Sequence, residues 1–218
     1  MQILKEDFAG FDAQLIIMDV VPWMLPYYEA SGIQFEIEDN RDYMDYTFTP
    51  EQFLAGMDMQ DDRYRYNYYF KRRFAYETEE ITPFHREEIR EFMEREWCGE
   101  KTCEECHCGC LLRVIDNLVP VFDKIRINGI LVRVEGKMAG LCIVSCRNGL
   151  GVYQYKNAVN RIKGINEYLL RESFERYLQS ADTINYTEDM GVENLRYYKE
   201  HMAPAHTLLS KLTLTERG

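Results

Sequence analysis

The segment Arg161-Ile162-Lys163-Gly164-Ile165-Asn166 sets two cations and a glycine where a helix is expected to begin. Backbone N–H groups and the positive dipole end at a helix start attract phosphate oxygens. Arg161 and Lys163 would add charge, and Gly164 would let the backbone approach a ligand closely. The same residues also suit an ordinary strand-to-helix loop. A second group lies further on. Glu188 and Asp189 precede a helix that carries Arg196 and Lys199. At helical spacing Val192, Leu195, Lys199 and Met202 share a face, with Arg196 at its border. A lysine on an inner face must find a partner or snorkel to water, and Glu188 and Asp189 are the nearest carboxylates. Two uses stay open for these cations: a structural ion pair, or contact with an anionic substrate.

Between Arg63 and Arg73, five basic residues interleave with Tyr64, Tyr66, Tyr68, Tyr69 and Phe70. Such a stretch can grip phosphates and stack bases, or it can be an amphipathic segment whose aromatics are core. The formal net charge is -11, which spread evenly would repel nucleic acid and anionic lipid. Screening over about 8 Å lets local sign prevail. Cys98, Cys103, Cys106, Cys108 and Cys110 surround His107. Thiolates at such spacing can close a zinc site. All of them fall within thirteen residues rather than in two separated pairs, so a reduced loop is the alternative, and no metal ligand is assigned. Cys142 and Cys146 read as buried thiols. No Ser-His-Asp or Cys-His set is readable among the four histidines. His85 is expected on a solvated helix face.

The elements that must position these groups follow from periodicity. Residues 13–21 predict a buried strand, Pro22 to Ala30 a helix stopped by Ser31-Gly32, and Ile33, Phe35 and Ile37 a half-buried strand. Thr82-Pro83 opens a helix with Phe84, Ile89, Phe92, Met93 and Trp97 inward. A second helix, from Leu111 to Ile125, must kink or break at Pro120. Glu135-Gly136 turns a hairpin between Ile130–Val134 and Met138–Cys146. A third strand spans 150–156. A helix with Leu170, Phe174, Tyr177, Leu178 and Ala181 inward follows, then a strand at 183–186, a helix from Gly191 to Met202, and one last strand from Leu208 to Thr215. With 218 residues, 46% of them apolar, the chain can bury a sizeable core. No run approaches the ~20 apolar residues of a membrane span, and the N-terminus lacks a signal-peptide pattern. A cytoplasmic protein is expected.

Several segments carry a family resemblance: "YQYKNAVNRIKGINEYLLRESF", then "INYTEDMGVENLRYYKEHMAPAHTLLSKLTL", and upstream "RDYMDYTFTPEQFLAG" and "RYRYNYYFKRRF". Together they resemble the bacterial phosphatidylglycerol lysyltransferase C-terminal-domain-like family, within the GNAT-like acyltransferases. Asn185, Glu188, Asp189, Gly191, Leu195, Arg196, Lys199 and Pro204 match its closing signature. The resemblance implies an α+β GNAT-like acyl-CoA N-acyltransferase fold, a mixed central sheet flanked by helices. Residues 1–57 would be an incomplete first lobe, 58–77 a basic and aromatic connection, and 78–218 a C-terminal lobe with a Cys-rich insertion at 98–110. It further implies transfer of an acyl group from a thioester or aminoacyl donor to an amine or lipid acceptor. Acyl-CoA or transfer RNA would supply the group. Arg161, Lys163, Gly164 and Asn166 would meet the CoA pyrophosphate, although Asn166 stands where that loop has a small residue. Glu188, Asp189 and Lys199 are the catalytic candidates, and Tyr153, Tyr155, Asn185 and Arg196 the substrate-binding ones. A catalytically silent GNAT-fold binding or assembly module is the alternative. The few strands of the first lobe favour a homodimer slightly over a monomer. A GNAT fold also predicts that the strand ending near Lys156 diverges from the strand of Asn185.

Overall fold

A computed structural model of the protein describes residues 15–59, 61–98, 109–201 and 206–216. The first elements are β1 (Ile16–Val20), α1 (Leu25–Glu29), β2 (Phe35–Asp39) and β3 (Asp45–Phe48). Two helices follow, α2 (Pro50–Met59) and α3 (Asp61–Arg73), then β4 (Tyr76–Glu80), α4 (Arg86–Met93) and α5 (Gly109–Leu118). Next come β5 (Asn128–Val134), β6 (Lys137–Arg147), β7 (Leu150–Ala158) and α6 (Ile165–Ser173). The chain closes with β8 (Thr183–Asn185), α7 (Glu193–Glu200), β9 (Thr207–Leu209) and β10 (Leu212–Glu216). These elements form two compact units. One comprises the described parts of 1–47, 187–201 and 206–218, the other those of 48–186.

The second unit is built on strands in the order β4-β5-β6-β7-β8. The hairpin β5/β6 turns at Glu135 (φ 53°) and Gly136 (φ 74°), the left-handed pair that a tight hairpin needs. Helix α6 covers one face. Gly140 of β6 lets Leu169 approach so closely that a Cβ there would lie 2.9 Å from its Cδ1. Leu169, Leu170 and Leu178 are fully buried on that side, each worth about 1.5–3 kcal/mol of burial. Helices α4 and α5 cover the other face through Ile89, Phe92 and Ile115. Strand β7 pairs antiparallel with β6, with a bulge where Ile143/Val144 oppose Tyr155/Tyr153. It pairs parallel with β8 over three positions only, Leu150↔Thr183, Gly151↔Ile184 and Val152↔Asn185. Beyond Val152 the strand continues to Ala158 without β8.

In the first unit β10 lies between β1 and β2, antiparallel to both. Val20, Leu212 and Leu214 form its small core, packed against Met24, Leu25, Tyr28 and Phe35. Strands β3 and β9 pair through Tyr46↔Leu208 and its neighbours.

Several expectations are corrected. The final strand is two strands, β9 and β10, because the first pairs with β3 and the second lies between β1 and β2. Ile37 is 48% exposed, since Leu212 and Leu214 fill the small core. Phe84, expected inward, is 97% exposed: Pro83–His85 form a 3-10 turn, so the helical phase begins only at Arg86. His85 is half-buried rather than solvated and completes a capping box with Thr82, its Nδ1 accepting from the Thr82 N–H at 3.0 Å. Pro120 ends α5 in a 3-10 turn at Val119–Val121. The tyrosine-rich stretch is helix α3, with Phe70 fully buried. Among the described residues no helix is long and apolar enough to cross a membrane.

Candidate functional site

The candidate residues fall into two groups, one in each unit. In the second unit the bulge at Gln154 sends neighbouring tyrosines to opposite faces of the sheet. Tyr153 points toward α6, buried, its hydroxyl donating to the Leu170 carbonyl at 2.8 Å. It also stacks on Phe53 of α2, centroids 5.4 Å apart. Tyr155 points to the α4/α5 side, with its hydroxyl 3.1 Å from the Met93 sulfur. Asn185 ends β8 and is 7% exposed. At the start of α6, Gly164 has φ 88°, and a Cβ there would lie 2.0 Å from the Tyr66 carbonyl oxygen of α3. The glycine therefore admits the backbone of another helix. Lys163 holds its ammonium 4.3 Å above the Tyr66 ring. Arg161 is exposed and reaches Glu96 at 3.5 Å. Asn166, where the pattern wants a small residue, accepts from Lys156 of β7 at 2.5 Å.

In the first unit the loop before α7 is tight: Thr187 (φ 56°), Met190 (φ 52°) and Gly191 (φ 71°) are left-handed. A positive φ at a β-branched threonine is strained. It is held by the Tyr46 N–H, which donates to the Thr187 carbonyl at 3.1 Å, and by Lys199, which donates to Thr187 Oγ1 at 3.3 Å. Asp189 is fully buried and accepts five hydrogen bonds from the described residues. They come from Arg41 (3.1 Å), Tyr46 Oη (2.7 Å), Arg196 Nε and Nη2 (3.0 and 2.9 Å) and the Gly191 N–H (2.9 Å). Burial pushes its pKa up, but Arg196, Tyr46 and the Gly191 amide outweigh that and hold it far below the usual carboxylate range. A carboxylate so held is a weak base and a firm anchor for two guanidinium groups.

Lys199, 3% exposed, donates to the Glu188 carbonyl at 2.7 Å. The Glu188 carboxylate instead meets Lys211 at 2.9 Å. Burial raises the Glu188 pKa, and the Lys211 bond brings the net shift below normal. Lys211 also reaches Asp45 at 3.0 Å and Asp19 at 3.4 Å.

The structure thus gathers Glu188, Asp189, Arg196 and Lys199 in one unit. Tyr153, Arg161, Lys163, Gly164 and Asn166 lie on the α6 side of the other, and Tyr155 across the sheet. Arg41, Tyr46, Lys211 and Lys156 were not singled out by sequence. Arg41 and Tyr46 did sit inside the "RDYMDY" segment that carried the resemblance. The thiols of Cys98, Cys103, Cys106, Cys108 and Cys110 lie outside the described residues.

The order β4, α4, α5, β5, β6, β7, α6, β8, α7, with β7 and β8 parting after three pairs, defines a GNAT-like acyltransferase fold. The chain belongs to the family described as phosphatidylglycerol lysyltransferase, C-terminal, which it matches over residues 1–210. Among solved structures it resembles a conserved protein of unknown function from Bacteroides thetaiotaomicron VPI-5482. That likeness has TM-score 0.80 and 24% identity, covering 99% of this chain and 74% of the other. It also resembles L-PGS from Bacillus licheniformis, with TM-score 0.68 and 15% identity over 98% of this chain and 71% of that one. A tandem GNAT protein from the clavulanic acid biosynthesis pathway matches at TM-score 0.58 and 11% identity, over 97% and 66% of the two chains. No curated protein matches in sequence.

Proposed function

We propose that this protein transfers an aminoacyl group from an aminoacyl-tRNA to an amine or lipid acceptor. The observation that carries this reading is the outer face of α3. Arg65, Tyr68, Tyr69, Lys71, Arg72 and Arg73 are all exposed there, on a chain of net charge -11. Arg72 lies 5.2 Å over the Tyr68 ring, a pre-ordered cation–aromatic pair. Lys163 extends the basic surface past Tyr66 and Tyr69, and Arg161 stands beside it on the same loop. A concentrated basic and aromatic face on an acidic protein suits a polyanionic donor. Family membership supports the same direction. The Tyr66 carbonyl lies against the side of Gly164 that a CoA pyrophosphate would need, which favours the aminoacyl over the thioester donor.

The chemistry requires the ester carbonyl to sit beside the acceptor nucleophile, a base to take its proton, and a donor for the developing oxyanion. Lys199, Tyr46 and the guanidinium groups anchored on Asp189 are the candidates for holding negative charge. Their neighbour Glu188 is the remaining carboxylate, and it can act as base only once Lys211 releases it.

Replacing Arg65, Lys71 and Arg73 together by glutamate is expected to weaken aminoacyl-tRNA binding at least tenfold. It should also flatten the salt dependence of binding by roughly one phosphate contact per residue. All three are exposed, but Lys71 and Arg73 lie in the last turn of α3 and Lys71 stands 5.5 Å over the Tyr168 ring, so the melting temperature should fall modestly and binding is compared where both proteins are folded. Unchanged affinity in a filter-binding titration would remove the α3 face from the account.

A further inference from the structure

In the first unit the sheet order β1-β10-β2 gives β2 a neighbour, β10, on one side and, among the described residues, no strand on the other. The outward N–H and C=O groups of such an edge are a template for another extended chain. The two faces of β2 differ in chemistry. Ile37 lies opposite Leu214, and Phe35 packs on the small core, so both stand on the α1 side. Glu36 and Glu38 lie opposite Thr215 and Thr213, on the other face. Both carboxylates are exposed, and neither has an ion pair among the described residues.

A groove of about 500 Å³ opens on the α1 side of this edge. Leu25 and Tyr28 of α1, Ile33 of the loop that follows, and Phe35 and Ile37 of β2 line it, and all five are partly exposed. A chain that added a strand to β2 would send its side chains alternately to the two faces. Every second one would enter the groove, where an apolar group gains contacts and a charged group loses its water. Those between would stand beside Glu36 and Glu38, where a cation is attracted and a carboxylate repelled. Pairing β2 with a second copy of itself would set carboxylates against carboxylates, so the edge disfavours its own kind.

We propose that the β2 edge binds an extended segment of a partner protein in which apolar and basic residues alternate. Main-chain hydrogen bonds along β2 hold the segment, and the groove and the two carboxylates select it. This surface is independent of the transfer reading above. The probe is a fluorescein-labelled peptide of alternating lysine and valine, capped at both ends. Its comparison is a peptide of the same composition with the lysines in one block and the valines in another. Fluorescence anisotropy should show saturable binding of the alternating peptide, at least tenfold tighter than that of the block peptide. Glu36→Lys combined with Glu38→Lys reverses charge at two exposed positions. It should weaken binding of the lysine and valine peptide at least tenfold and strengthen binding of an alternating glutamate and valine peptide. Equal binding of the alternating and block peptides would reduce the surface to charge attraction and overturn the proposal. Absence of saturable binding, or affinities unchanged by the charge reversal, would overturn it too. A concentration-dependent dimer in sedimentation that the double variant abolishes would make the occupant a second copy of this chain, which also contradicts the proposal.

Discussion

Gly164→Ala destabilises the second unit by roughly 2–6 kcal/mol, the sum of a left-handed φ imposed on an L residue and of overpacking. The residue has φ 88°, and its Cβ would stand 2.0 Å from the carbonyl oxygen of Tyr66. A backbone atom inside helix α3 cannot swing aside as a side-chain tip can. Either α3 moves away from α6, or the α6 start unwinds. Such a loss is a large fraction of a typical folding stability of about 5–15 kcal/mol. Urea denaturation followed by tyrosine fluorescence reads it, with Arg161→Ala as the comparison. Arg161 is 76% exposed and, among the described residues, makes one long contact, with Glu96, so its removal should change stability by about 0.5 kcal/mol or less. If Gly164→Ala matched Arg161→Ala, the glycine would not be there to admit α3.

The second large effect belongs to Asp189→Ala. Removing this carboxylate leaves Arg41, Arg196 and the Tyr46 hydroxyl turned toward a gap in the first unit. Arg41 keeps Glu200 and Arg196 keeps Asp42, and both are about a third exposed, so the cost is that of donors left without their buried acceptor, about 1–3 kcal/mol. The pH dependence has a definite sign. The folded pKa of Asp189 is depressed below its ordinary value of 3.8, so its contribution is fully present above that value. It disappears as pH falls through the folded pKa. The stability gap between the unmodified protein and Asp189→Ala should therefore be constant from pH 7 down to about 5, and narrow steadily below about 4. Glu188, also depressed, acts in the same direction in both proteins. Urea midpoints measured across that range test it. A gap that stayed constant to pH 2 would mean that Asp189 does not titrate into this network.

What the sequence made legible was local. Glu135-Gly136 announced its hairpin because a tight turn requires left-handed residues, and both are left-handed. Leu170, Phe174 and Leu178 announced the buried face of α6 and its continuation by their spacing, and all three are buried. The divergence of β7 from β8, expected from the family resemblance, appears as pairing that stops at Val152. What was hidden depended on partners distant in sequence. Asp189 is bound by Arg41 and Tyr46, more than 140 residues away, and Lys211 by Asp45 and Asp19. No spacing rule joins such residues, because topology alone brings them together. Phe84 misled because a proline opened a 3-10 turn and shifted the helical phase. The role of Gln154 was hidden because a bulge inserts one residue into a strand without any change of composition. Gly164 was recognised as a point of close approach, and the structure supplies a helix as what approaches.

A transfer assay with two labelled donors distinguishes aminoacyl-tRNA from acyl-CoA. The purified protein is incubated with vesicles of phosphatidylglycerol and with soluble amines. In one arm it receives aminoacyl-tRNA carrying a radiolabelled amino acid. In the other it receives radiolabelled acetyl-CoA or a longer acyl-CoA. Label is expected in the lipid or amine fraction from aminoacyl-tRNA alone, reduced at least tenfold by charge reversal at Arg65, Lys71 and Arg73. Label arriving from acyl-CoA and none from aminoacyl-tRNA would contradict the aminoacyl reading, and label from neither donor would leave the fold as a binding module without this chemistry.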